Sequence, residues 1–128
     1  MSKSALICVR NGLLSDGIIR MFYEKNSPIK ISEERNAAYF EAMTKTQNPD
    51  IVVIEVRGIR PYTLVEWGER LREMRETLPR CKIAMIVDDE NYPDTAEAVK
   101  KEKANGKIDA FFYASSGLAY LVDAIESL

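Results

Sequence analysis

The chain contains no histidine, which removes imidazole general bases, histidine metal ligands and phosphohistidine transfer in one step. It has two cysteines, Cys8 and Cys81, and neither belongs to a C-x-x-C pair; zinc and dithiol redox centres are disfavoured and two buried free thiols are expected. No run approaches the roughly 18 consecutive apolar residues of a membrane span, and Met1 to Ala5 lacks the charged-then-apolar start of a secretory signal, so a cytoplasmic setting is expected. A positive excess is missing too. Eighteen Lys plus Arg stand against twenty Asp plus Glu, a net charge of −2 with pI ≈ 5.3, which gives no electrostatic drive toward nucleic acid.

What is present is the composition of a folded body, with 46% apolar and 30% charged residues. A length of 128 residues suits one domain, 1–128, that buries about two thirds of its unfolded surface without a metal or disulfide staple. No internal repeat, low-complexity tract or linker divides it.

Short apolar runs alternate with longer amphipathic ones, the pattern of βαβ units around a parallel sheet. Ala5 to Val9, Ile51 to Val56 and Ile83 to Val87 are nearly continuous aliphatic runs, as strands covered on both faces require. Ile29 to Ile31 is short and carries Lys30, and Ala110 to Tyr113 is aromatic, so both suit edges. The expectation is a doubly wound α/β fold, five parallel strands in the order 2-1-3-4-5. Leu14, Ile18, Met21 and Phe22 mark the first helix, and Ser32 with Glu33 and Glu34 marks the start of a second. Leu64, Trp67, Leu71, Met74 and Leu78 follow helical spacing between Pro61 and Pro79. A fourth helix runs over about Asp94 to Ala104 and stops at Asn105-Gly106, and Leu118, Leu121, Ile125 and Leu128 share one face of the last.

In such a sheet, ligands bind beyond the carboxyl ends of the strands, at the switch between strands 1 and 3. That places Arg10, Asn11 and Gly12, then Glu55, Arg57 and Gly58, then Asp88 and Asp89, then Ala114, Ser115 and Ser116 around one crevice. Arg10 and Glu55, on adjacent strands about 5 Å apart, are expected to form an ion pair across it. Asp88-Asp89-Glu90 reads as a solvated loop, since three successive acidic side chains cannot all converge on one ion.

Here the sequence resembles the receiver domain of two-component response regulators, over the whole chain. Pro49-Asp50-Ile51-Val52-Val53-Ile54-Glu55-Val56 is similar to the family's third strand, with Glu55 at the phosphoacceptor aspartate. Leu6 to Asn11 is similar to its first strand and acidic turn, and Ile108 to Ser115 to its fifth strand and lysine-proline ending. The resemblance implies a flavodoxin-like, receiver-like fold and a regulatory role. It also implies that the phosphotransfer residues have changed: the Mg²⁺-binding acidic pair corresponds to Val9 and Arg10, the strand 4 hydroxyl to Val87, and the strand 5 lysine to Ala114. No metal, cofactor or catalysis is then expected. Glu55 either imitates a phosphorylated acceptor with its longer side chain or is a partly solvated carboxylate at a position released from catalysis.

Phe111 corresponds to the family's aromatic switch residue, although aromatic residues in strands usually pack. The resemblance further implies a partner or homodimer contact through helix 4, strand 5 and helix 5. On that surface Lys100, Lys101 and Lys103 lie near Tyr113 and Tyr120, against the plainer reading of a solvated helix face. An output domain after residue 128, as in a transcription regulator, is a further implication. Two alternatives stand beside this one: an atypical receiver still phosphorylated in a phosphorelay, and, with less support from spacing, a phosphocysteine-loop enzyme using Cys8, Asn11, Gly12 and Ser15.

Overall fold

The aliphatic runs at 5–9, 51–56 and 83–87 form the inside of a sheet because both faces of each need cover; apart from Glu55, none of their residues is more than 3% exposed. The computed structural model describes residues 3–128. In chain order the elements are β1 (Ser4–Cys8), α1 (Gly12–Glu24), β2 (Lys30–Glu33), a 3₁₀ turn (Ala37–Tyr39), α2 (Phe40–Gln47), β3 (Ile51–Val56), α3 (Leu64–Thr77), β4 (Lys82–Val87), α4 (Pro93–Ala104), β5 (Ala110–Tyr113) and α5 (Leu118–Glu126). All strand pairs are parallel, in the order β2-β1-β3-β4-β5 expected from the sequence.

Alternation along the strands divides the core in two. Leu6, Cys8, Val52, Ile54, Ile83 and Met85 point toward α2, α3 and α4, where Phe40, Trp67, Leu71 and Val99 meet them. Ala5, Ile7, Val53, Ala84, Ile86 and Phe112 point the other way, onto Ile18 and Phe22 of α1 and Leu121, Val122 and Ile125 of α5. Each covering helix presents the apolar stripe seen in its sequence.

The helix ends follow local chemistry. The Asn11 side chain accepts from the Leu14 N–H to cap α1, and Thr63 accepts from the Glu66 N–H to cap α3 while its hydroxyl donates to the Glu66 carboxylate at 2.9 Å. Pro93 opens α4, and Gly106, with φ +76°, allows the turn just beyond its end.

The expected start of the second helix needs correction. Ser32 is not a cap but a β2 residue in register with Leu6, and β2 runs on to Glu33. Glu33 and Glu34 do not charge a helix terminus: the Glu33 carboxylate accepts from Ser15 and Arg35, and that of Glu34 from the Asn36 N–H. Asn36 does the capping, accepting from the Ala38 N–H before the 3₁₀ turn leads into α2. Pairing with the buried β1, through which Ile7 O also receives the Glu34 N–H, outweighs the local capping preference of Ser32.

Trp67 is 1% exposed and meets Phe40 edge-on at 5.1 Å. Trp67→Ala should therefore lower stability by about 3–5 kcal/mol in urea unfolding. Val65→Ala on the exposed side of the same helix should stay within about 0.5 kcal/mol.

Candidate functional site

The carboxyl ends of β1, β3, β4 and β5 form one edge, and the loops after them build the candidate site. Val9 and Val87 are fully buried there, Glu55 is half-buried, and Arg10 and Ala114 are exposed. The Ala114 N–H donates to Val87 O at 2.8 Å, and β3 registers Val56 against Val87, so these positions do line one edge.

Glu55 is held from two sides. Its carboxylate accepts from the Asn11 N–H at 3.0 Å, and its backbone carbonyl accepts from the Trp67 indole N–H at 3.2 Å. The expected Arg10–Glu55 ion pair does not form. Arg10 has no ion-pair partner among the described residues, and the Glu55 carboxylate meets the next backbone amide instead. The turn into α1 explains this: Asn11 is the cap, its N–H is free of helical bonds, and Arg10 is left facing water.

The neighbouring loops are closed by their own contacts. Asp88 accepts from the backbone N–H groups of Glu90 and Asn91 and from the Asn91 amide, and the Asn91 bonds hold its carboxyl below the usual range. Ser115 donates to both oxygens of Asp89 at 3.0 Å, joining the β4–α4 and β5–α5 loops. Asp88 and Asp89 are thus engaged in different turns. The Tyr92 ring lies against Gly58, where a Cβ would come within 2.5 Å of it, so only glycine admits the ring over the β3–α3 loop.

Two clusters beside this edge were not expected from the sequence. Arg70 on α3 stacks on Trp67 (4.7 Å) and Phe40 (5.5 Å), grips the Glu41 carboxylate at 2.6 and 2.7 Å, and donates to Ala37 O. The Glu41 carboxyl is held low by that guanidinium. On the opposite face, fully buried Ser15 donates to Glu33 at 2.5 Å, and Arg35 bridges Glu33 and Asp16. The Glu33 carboxyl is held low chiefly by the Ser15 hydroxyl. Ser15 did carry a signal, because it shares the buried stripe of α1 with Ile18 and Phe22, and a polar group there needs a partner.

Cys8 and Cys81 are buried, as expected. Burial pushes the Cys8 thiol up to about 12, which opposes its use as a thiolate nucleophile. Of the strand 5 aromatics, Phe112 is the core residue, while Phe111 and Tyr113 are half-buried on the α4 side, edge-on at 5.6 Å. Tyr120 on α5 is 65% exposed, and Lys101 on α4 is exposed.

No protein-family model and no curated protein matches the chain in sequence. Its backbone nevertheless superposes on solved response regulators. A response regulator from Thermotoga maritima aligns with TM-score 0.72 and 13% identity over 99% of this chain and 97% of its own. A DNA-binding response regulator of the LuxR family from Staphylococcus aureus gives 0.74 and 14%, over 98% and 97%. A structure from the streptococci, described as a redox sensor evolved from two-component response regulators, gives 0.73 and 13% over 98% of this chain and 50% of that one. The fold is that of response-regulator receiver domains.

The Asn11–Glu55 bond generates a mutational contrast. Glu55→Ala should cost about 1 kcal/mol and speed hydrogen exchange of the Asn11 amide, whereas Arg10→Ala should change stability by less than about 0.5 kcal/mol. Urea unfolding and amide exchange of the two variants check this.

Proposed function

We propose that this receiver fold works without phosphotransfer, as a regulatory module that acts by binding a protein partner or a second copy of itself. The observation that carries the proposal is the Glu55 carboxylate at the acceptor position, committed to the Asn11 N–H and flanked by Val9, Val87 and Ala114. A transferring phosphoryl group needs a metal and cations to neutralise its charge. A hard divalent cation takes six or more oxygen ligands. Val9 has no side-chain oxygen, Arg10 carries the charge of a cation, Asp88 is bound into its own turn and Asp89 accepts from Ser115 of the neighbouring loop, so the donor set does not fit Mg²⁺. In place of a group that is transferred on and off, Glu55 supplies a carboxylate built into the chain.

The output surface in this proposal is formed by α4, β5 and α5. These elements flank the exposed edge of the sheet, with Lys100, Lys101 and Lys103 on one side and Tyr120 on the other. Half-buried Phe111 and Tyr113 lie beside them, and amphipathic aromatic groups near cations suit a protein contact. The buried, poorly ionised Cys8 thiol weighs against the phosphocysteine alternative. The phosphorylatable alternative requires an acceptor other than a bonded glutamate.

Incubation with a small-molecule phosphoryl donor and Mg²⁺ should leave the mass unchanged, and Mg²⁺ with beryllofluoride should give no saturable amide shifts near Glu55. A phosphoryl adduct, or saturable shifts there, would establish phosphotransfer and overturn the proposal. For the output surface, sedimentation should reveal a concentration-dependent dimer that Lys101→Glu and Tyr120→Ala each weaken. A strict monomer, with partner binding insensitive to both changes, would rule that surface out.

A further inference from the structure

A groove of about 470 Å³ runs between α3 and the C-terminal end of α4, within the size range of small-molecule sites. Its floor and walls include Leu64, Val65, Leu71, Met85 and Ile108. Gly68 of α3 lies at its wall, where an added Cβ would meet nothing within 4 Å. Glycine is the poorest helix former after proline, so its place inside a 14-residue helix has a local cost. No close approach of another group requires it. What the glycine leaves is space, and a break in local propensity without a packing reason is a mark of functional positions.

The groove is polarised along its length. Leu64, Val65 and Gly68 lie in the first half of α3, and Arg72 and Arg75 in the second. Arg75 donates to Lys107 O at 3.3 Å, which brings Lys107 to the same end. Arg72, Arg75 and Lys107 are the cations among its lining residues. Arg75 is paired with Asp109 at 3.5 Å and Lys107 with Glu102 at 3.9 Å, whereas Arg72 has no ion-pair partner among the described residues. The lining carboxylates, Glu69 and Glu102, are fewer than the lining cations.

We propose that this groove binds a small amphiphilic carboxylate, its apolar body along Val65, Gly68 and Met85 and its carboxylate on Arg72, with Arg75 and Lys107 adjacent. The distance along α3 from Val65 to Arg72, about 10 Å at 1.5 Å per residue, matches the length of a medium-length acyl chain or a small aromatic acid, and the groove volume lies in the range of small-molecule sites. A guanidinium free of carboxylates is the group that selects a carboxylate headgroup. None of the groove residues belongs to the site around Glu55, so the assignment holds independently of the phosphorylation test.

The test is a titration with decanoate below its micelle concentration, followed by amide NMR. The expected result is a saturable shift set centred on Val65, Gly68, Arg72 and Ile108. 1-Decanol and decyltrimethylammonium should bind about tenfold more weakly or worse, and Arg72→Glu should weaken decanoate about tenfold. Gly68→Leu fills the trough with a better helix former and should abolish binding while thermal stability stays equal or rises. Absence of saturable shifts, equal response to the three headgroups, or undiminished binding in Gly68→Leu would each overturn the proposal. So would a dimer that Gly68→Leu disperses and decanoate does not, which would assign the groove to a second copy. Should Gly68→Leu fail to fold, the headgroup series and Arg72→Glu still decide.

Discussion

A parallel sheet has no face that it can leave to water, because its crossover connections must run over both sides and its strands are aliphatic throughout. In this chain that constraint reaches every element. The aliphatic runs of the three central strands, in which no residue beyond Glu55 is more than 3% exposed, require helices above and below, and each helix carries one apolar stripe to meet them. All strands point the same way, so every loop that follows a strand emerges at one edge. The candidate site is the by-product of that arrangement rather than a separate construction.

Trp67 connects the core to this edge. Its ring packs on Phe40 within the core, its indole N–H holds the Glu55 carbonyl, and its face carries the Arg70 guanidinium. Arg70 in turn ties α3 to α2 through Glu41 and to the preceding 3₁₀ turn through Ala37 O. One aromatic residue thus fixes the end of β3 and the approach of two helices. Asn11 plays the matching part on the other side, capping α1 with its side chain while its N–H holds the Glu55 carboxylate.

The strands and the long helices were legible because burial imposes periods of two and 3.6 residues on the apolar positions, and the stripe from Leu64 to Met74 in α3 shows the second period plainly. The place of Glu55 was legible for the same reason, since strand position and sheet order together locate it. Its partner was not. Charge arithmetic pairs Arg10 with Glu55, but the competing donor is a backbone amide, which every residue except proline possesses and no sequence pattern marks. Ser32 misled in a related way: hydroxyl-then-acidic residues favour a helix start, and only pairing with β1, a contact distant in sequence, assigns them to a strand. Arg70 was hidden because a stacked, paired arginine on a helix looks in sequence like any solvated one.

The two thiols lie on the same face of the sheet but at opposite ends of it: Cys8 closes β1 at the edge that carries the loops, and Cys81 immediately precedes β4 at the far edge. Burial pushes the first to about 12 and the second to about 11, so neither is meaningfully ionised at neutral pH while covered. Alkylation of either therefore waits on an opening of the chain around it, and the rate of modification becomes a clock for that opening. With one thiol at each rim, a single reagent times the two ends of the domain independently, and a ligand or partner that tightens only one end would slow only one clock.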